Sequence, residues 1–180
     1  FSANENQTAI GTVTATDDEN ETLTYSLSGT DSSSIGINSS SGVMTFNSAP
    51  DYETKSSYAV TVAISDGTNT TTQNITVNVV NLNDNSPSIT SSATFNAPEN
   101  QTAIGTVTAT DADGDTLTYT LSGTDSSSIS INSSSGVLTF NTAPDYETKT
   151  SYTATVSVTD GSNSVTQNIT VNITNVNDIA

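Results

Sequence analysis

The chain has 180 residues, with 19 acidic side chains against 2 lysines or arginines, no histidine and no cysteine, for a formal charge of −17. This balance excludes a nucleic-acid binder, whose phosphate contacts need Lys and Arg. It also excludes catalysis or zinc binding through His or Cys, and any disulfide. No apolar run is long enough to span a bilayer as a helix, and no basic or apolar leader precedes Phe1, so the sequence reads as an internal piece of a longer chain. Val, Ile, Leu and Phe make up only about a fifth of the residues, near the composition of disordered chains. Against disorder, the apolar residues alternate and the acids cluster.

The second half repeats the first at an offset of about 94 residues. ENQTAIGTVTATD at Glu5–Asp17 recurs at Glu99–Asp111, PDYETK at Pro50–Lys55 recurs at Pro144–Lys149, and QNITVN at Gln73–Asn78 recurs at Gln167–Asn172. Roughly seven in ten aligned positions are identical, which marks a tandem duplication. The run NDNSP breaks the periodicity and places the boundary there, giving domains 1–84 and 85–180. Residues Pro87–Thr94 have no counterpart before Phe1, so the first unit is expected to lack the start of its first strand.

In chain order, the second unit shows the elements most plainly. Ile89–Ala93 predicts a first strand and Val107–Ala109 a second. Leu117, Tyr119 and Leu121 alternate with polar residues, as a half-buried strand does. Ile129–Ile131 and Leu138–Phe140 predict two short strands, separated by a turn at Ser133–Gly136. Tyr152, Ala154, Val156 and Val158 alternate with Thr and Ser; after a turn at Asp160–Asn163, Ile169, Val171 and Ile173 do the same. Thr, Val and Ile dominate, and no segment has a helical period. About seven strands with one buried face each imply two antiparallel sheets packed face to face, an immunoglobulin-like sandwich without the Cys and Trp of antibody domains.

The acids fall at strand ends and turns: Glu99 in PEN and Glu5 in NEN, Asp111–Asp115 in DADGD, Asp145 and Glu147 in PDYE, Asp160 in TDG, and Asp84 in NLNDNSP. Aspartate is common in turns, which alone would explain any single motif. In this order and spacing the set resembles the cadherin repeat, twice over, and the wording TDADGDTLTYTLSG is similar to cadherin-like repeats of large bacterial surface adhesins. The resemblance implies an all-β chain of two tandem cadherin-type seven-stranded Greek-key β-sandwiches, with calcium bound between successive domains. Carried over, the central junction would take Glu5, Asp51 and Glu53 from the first unit, and Asn83, Asp84 and the Asn85 carbonyl from the linker. Asp111, Asp113 and Asp160 would come from the second unit, with the Thr120 carbonyl. Hard carboxylate and carbonyl oxygens suit Ca²⁺, and the family pattern implies about three ions at this junction.

Some positions depart from the family pattern. The linker begins Asn81–Leu82 where Asp is usual at the first position, and the first unit has Asp17, Asp18 and Glu19 in place of DxD. At the far end Glu99, Asp145, Glu147 and Asp178 would form a matching half-site; both terminal half-sites are expected to bind weakly. An EF-hand reading of DADGD fails, because its twelfth position is Ser122 and strands flank it. Paired carboxylates can make a glycosidase, but these acids already fit a metal reading, so no enzyme is expected. The sequons at Asn74 and Asn168 are expected by chance in so Asn- and Thr-rich a chain. Tyr25, Tyr58, Tyr119 and Tyr152 are expected in the cores, with Tyr52 and Tyr146 exposed. The reading is an extracellular, cell-surface or secreted adhesin segment whose partners are neighbouring repeats, with no nucleic acid and no membrane insertion. The alternative is a module that binds polysaccharide or like domains on other cells, or one attached to a secreted polysaccharide-degrading enzyme.

Overall fold

The structure is a computed structural model that describes residues 1–177. Two compact units divide the chain, Phe1–Leu82 and Asn83–Ala180. The break falls two residues before the boundary read from the sequence, because Asn83 and Asp84 hydrogen-bond within the second unit.

The first unit has seven strands: β1 (Ser2–Asn4), β2 (Ala9–Thr12), β3 (Thr24–Ser28), β4 (Ile35–Ile37), β5 (Val43–Phe46), β6 (Ser57–Ser65) and β7 (Thr70–Val80). They form a four-stranded sheet, β1-β7-β6-β3, and a three-stranded one, β2-β5-β4. Alternation sets the inward face. Val60, Val62 and Ile64 of β6 are buried, as are Ile75, Val77 and Val79 of β7, while the Ser, Thr and Asn between them stay more accessible. These residues meet Ile35, Met44 and Phe46 from the other sheet in one core.

The second unit repeats this with β8 (Ser88–Ile89), β9 (Thr94–Pro98), β10 (Ala103–Thr106), β11 (Ala109–Thr110), β12 (Thr118–Ser122), β13 (Ile129–Ile131), β14 (Val137–Phe140), β15 (Ser151–Thr159) and β16 (Ser164–Thr174). Its sheets run β12-β15-β16-β9 and β10-β14-β13, with β8 joined to β11 as a short pair. Leu138 fills the place that Met44 holds in the first unit, and both are fully buried.

Three expectations are corrected. The sheets are not wholly antiparallel: β1 runs parallel to β7, and β9 runs parallel to β16. Of the strand expected at Ile89–Ala93, only Ile89 lies in one, and the segment joins two elements on different partners. β8 pairs with β11, the chain bends through Thr90–Ala93, and β9 then pairs with β16. The strand expected at Val107–Ala109 is also divided, since Val107 and Thr108 separate β10 from β11. There the Val107 amide donates to the Gly136 carbonyl at 2.9 Å instead of extending the β10–β14 ladder.

The tyrosines follow their strands. Tyr25 and Tyr119 are buried, while Tyr58 and Tyr152 are half-buried against Phe46 and Phe140, edge to face at ring separations of 5.0 Å. Tyr52 and Tyr146, expected to be exposed, are half-buried against their cores.

Candidate metal centre

Each unit gathers its sequence-distant acids at its ends. In the first unit Glu5 follows β1, where Asn6 takes a left-handed φ of 59° that turns the chain away. The Glu5 carboxylate is 1% exposed and bonded on both oxygens, accepting from the Leu82 amide at 2.6 Å and the Tyr52 amide at 2.8 Å. Leu82, unusual for the family, therefore contributes through its backbone N–H. Asp51 accepts from the Glu53 amide at 3.1 Å and the Thr54 hydroxyl at 2.8 Å. The Thr54 hydroxyl foremost holds the Asp51 carboxyl below its usual range, against a smaller opposing effect of burial. Carboxylate oxygens of Glu5, Asp51 and Glu53 all lie within 4.8 Å of one another.

The second unit has an equivalent group, in which Glu99 accepts from the Tyr146 and Val176 amides, each at 2.8 Å. Glu99, Asp145 and Glu147 bring oxygens within 4.8 Å of one another, and the Asn175 side-chain amide donates to Glu147 at 2.9 Å. Asp178, expected to join them, lies outside the described residues.

At its other end the second unit binds its own leading segment. Asp113 Oδ2 accepts from the Asp84 amide at 3.1 Å and the Asn85 amide at 2.9 Å, and Asp113 Oδ1 accepts from the Asn85 side chain. Asp160, 9% exposed, accepts from the Ser162 and Asn163 amides, both at 2.6 Å. Burial pushes its carboxyl up, but these amides and the side chains of Asn163 and Asn83 outweigh it and hold the group below its usual range. Asn163 also donates to Asn83 Oδ1 at 3.3 Å and to the Asn85 carbonyl at 3.2 Å. Asn83, Asp84, Asn85, Asp113 and Asp160 thus belong to one network.

Asp111 joins it with a distinctive geometry. Its Oδ1 accepts from the Asp113 and Asp115 amides at 3.0 and 3.3 Å, while Oδ2 is buried with no hydrogen-bond partner among the described residues. A buried carboxylate oxygen without a donor is costly unless a cation meets it. Oxygens of Asp111, Asp113 and Asp115 lie within 4.8 Å of one another. Asp115 was outside the expected ligand set; its place two residues beyond Asp113 in DADGD was the available signal. Thr120 lies exposed in the middle of β12, opposite Ser157. In the first unit the counterpart loop has Asp17 accepting from the Glu19 and Glu21 amides.

These groups offer oxygen donors alone, several of them charged and held close together. Such a donor set suits a hard divalent cation, and its size and irregularity favour Ca²⁺ over Mg²⁺. When calcium is bound it supplies positive charge that lets the carboxylates share one region without mutual repulsion.

The cadherin-domain family model matches residues 1–80 and 93–174. The chain belongs to the cadherin family. Among curated relatives, human protocadherin Fat 4 is 34% identical over 161 residues, which is 82% of this chain and 3% of that protein. Human cadherin-23 is 30% identical over 177 residues, 92% of this chain and 5% of that protein. Among solved structures, mouse cadherin-23 EC22-24 matches 98% of this chain and 63% of its own at 25% identity and a TM-score of 0.77. Human protocadherin-24 EC1-2, at 21% identity and a TM-score of 0.77 over 98% of this chain and 94% of its own, shows the same fold. Cadherin repeats bind calcium where successive repeats meet, and they belong to extracellular or cell-surface proteins, as the sequence led us to expect. Among the described residues no helix is long and apolar enough to cross a membrane.

Proposed function

We propose that this pair of repeats is a calcium-stiffened segment of an extracellular adhesion protein. In this reading Glu5, Asp51 and Glu53 of the first unit and Asn83, Asp84, Asn85, Asp111, Asp113 and Asp160 of the second share about three ions. The buried Oδ2 of Asp111 carries the reading, because among the described residues it is the buried carboxylate oxygen left without a hydrogen-bond partner. Asp115 is added to the ligand candidates, beside the Thr120 carbonyl of the original set. Stiffening follows from sharing: ions ligated from both units fix an orientation that the polar linker 81–87 leaves free. The setting in a bacterial adhesin is part of the proposal and rests on the TDADGDTLTYTLSG wording; the relatives named above are animal proteins. An acid set given over to metal binding leaves no acid–base pair for catalysis, so the segment acts by binding.

Small-angle scattering with and without millimolar calcium tests this. The distribution of dimensions should narrow to one extended value with calcium and broaden in EDTA. Identical profiles would refute the stiffening.

A further inference from the structure

Three Asp–Gly dipeptides occur in the chain: Asp66–Gly67, Asp113–Gly114 and Asp160–Gly161. In such a pair the glycine amide nitrogen can reach the aspartate side-chain carbon, because no Cβ obstructs the approach. All three glycines are exposed, with φ of 98°, 81° and 101°, and an added Cβ at each would meet nothing within 4 Å. Accessibility and backbone region therefore do not separate them. Donors to the carboxylate do not either, since each aspartate accepts from two main-chain amides on one oxygen. These are Thr68 and Asn69 on Asp66, Asp84 and Asn85 on Asp113, and Ser162 and Asn163 on Asp160.

The nucleophile separates them. The Gly67 amide donates to the Ser65 hydroxyl and the Gly161 amide to the Thr159 hydroxyl, both at 3.1 Å. Each of these glycines also lies inside a turn closed by the aspartate amide on the Asn69 or Asn163 carbonyl, at 3.3 Å. The Gly114 amide donates to no group among the described residues. Its loop is tied on either side, by the Asp113 and Asp115 amides on Asp111 Oδ1, and not at the glycine itself. The duplicated loop of the first unit lacks the pair altogether. Glu19 and Asn20 stand there in place of Asp113 and Gly114, and Asn20 has a similar left-handed φ of 60°.

We propose that Asp113–Gly114 is a site of spontaneous conversion to isoaspartate, shielded by metal binding at the same loop. The Gly114 nitrogen attacks Asp113 Cγ and a C–N bond forms. One carboxyl oxygen leaves as water, with the amide proton and one proton from solvent, and a succinimide ring results. Negative charge growing on Oδ2 meets the Asp84 and Asn85 amides, at 3.1 and 2.9 Å. Water then adds at the main-chain carbonyl of residue 113 and opens the ring there. The chain now runs through Cγ, one carbon longer, with the free carboxylate moved to the main-chain carbon and the mass unchanged. The carboxylate that Asp113 offered in the loop is thereby displaced. The shielding rests on the calcium reading proposed for this loop, since a carboxylate oxygen that ligates a cation cannot leave as water.

The test is incubation of the intact chain in warm neutral buffer with EDTA or with millimolar calcium, matched in ionic strength. Isoaspartate is counted by enzymatic methyl transfer from S-adenosylmethionine and placed by electron-transfer fragmentation of the peptides. In EDTA it should accumulate about fivefold or more faster at Asp113 than at Asp66 and Asp160, the factor that one hydrogen bond on the nucleophile is worth. Calcium should slow Asp113 severalfold. Gly114→Asn, which copies the first unit, should keep the fold by circular dichroism and suppress the conversion. No isoaspartate at Asp113 in either buffer, equal rates at all three aspartates, or an undiminished rate in Gly114→Asn would overturn the proposal. Conversion at Asp113 that calcium leaves unslowed would overturn the shielding alone and count against Asp113 as a ligand.

Discussion

Lys55 and Lys149 carry all the side-chain positive charge of the chain, and both are used in the same way. Lys149 pairs with Asp125 at 2.5 Å and lies 4.5 Å from the centre of the Tyr152 ring, while Asp125 also accepts from the Thr153 amide; Lys55, Asp31, Tyr58 and Ala59 repeat the arrangement. Asp125 lies outside every acidic motif of the sequence, yet it is not a neutral position. The Lys149 ammonium, helped by the Thr153 amide, holds the Asp125 carboxyl below its usual range. Because the folded value is depressed, the stabilisation is present above the ordinary carboxylate range near pH 4 and is lost as pH falls through the folded value. Asp125→Ala should therefore cost about 1 kcal/mol at neutral pH and nothing extra in strong acid, read from urea melts of the second unit at several pH values. A cost independent of pH would remove the charge argument. For the metal site, Asp113→Ala and Asp84→Ala should each abolish the calcium-dependent narrowing expected in scattering and leave both sandwiches folded by circular dichroism. The exposed Asp18, at the opposite end of the first unit, supplies the control as Asp18→Asn. If Asp84→Ala stiffens like the parent protein, the linker aspartate is not a ligand.

At the scale of elements, alternation was enough to find every long strand. β15 and β16 lie where Tyr152–Val158 and Ile169–Ile173 place them, since a period of two with one buried face has no other stable use. The first strand was harder to read because β8 is two residues long and β9 buries only Ala97 fully, so neither shows a full alternation. What places them is their partners: β8 lies on β11 and β9 on β16, choices made by tertiary packing. The acidic motifs were legible as a set because each sits at a strand end. That Asp115 joins Asp111 and Asp113 depends on where a loop ends and a ladder begins, which varies by a few residues. Turns can be tested directly. Gly136 has φ 69°, its amide donates to the Asn132 carbonyl, and a Cβ there would lie 2.2 Å from the Val107 carbonyl oxygen. Gly42 meets Val13 in the same way. Gly136→Ala should cost at least the roughly 1–3 kcal/mol of a left-handed non-glycine residue, with the backbone clash added. Gly161→Ala, whose added Cβ would meet nothing within 4 Å at a φ of 101°, should cost only the conformational part. Equal losses in denaturant melts of the two variants would show that the Val107 contact is relieved without cost.

For the whole molecule, a charge of −17 on 180 residues opposes the compact state, and the acids sit mainly in strand-end loops where like charges meet. Each unit has its own hydrophobic core, so the fold should persist without metal. Calcium should add stability in two separable ways. Any cation screens repulsion between exposed carboxylates, with a Debye length of about 8 Å at physiological ionic strength. Specific binding adds RT ln(1 + [L]/Kd), about 2.7 kcal/mol at a hundredfold excess over Kd. Screening depends on ionic strength alone, whereas binding depends on the ion. Magnesium demands tight octahedral geometry and gives up water reluctantly, so it should match calcium in screening and fall short in binding. Thermal melts in EDTA, millimolar magnesium and millimolar calcium, all brought to one ionic strength with sodium chloride, separate the two. The midpoint should rise clearly with calcium and little with magnesium. Equal midpoints for the two divalent ions would reduce the acidic loops to a screened charge cluster, and identical midpoints in all three conditions would remove calcium from the protein's function.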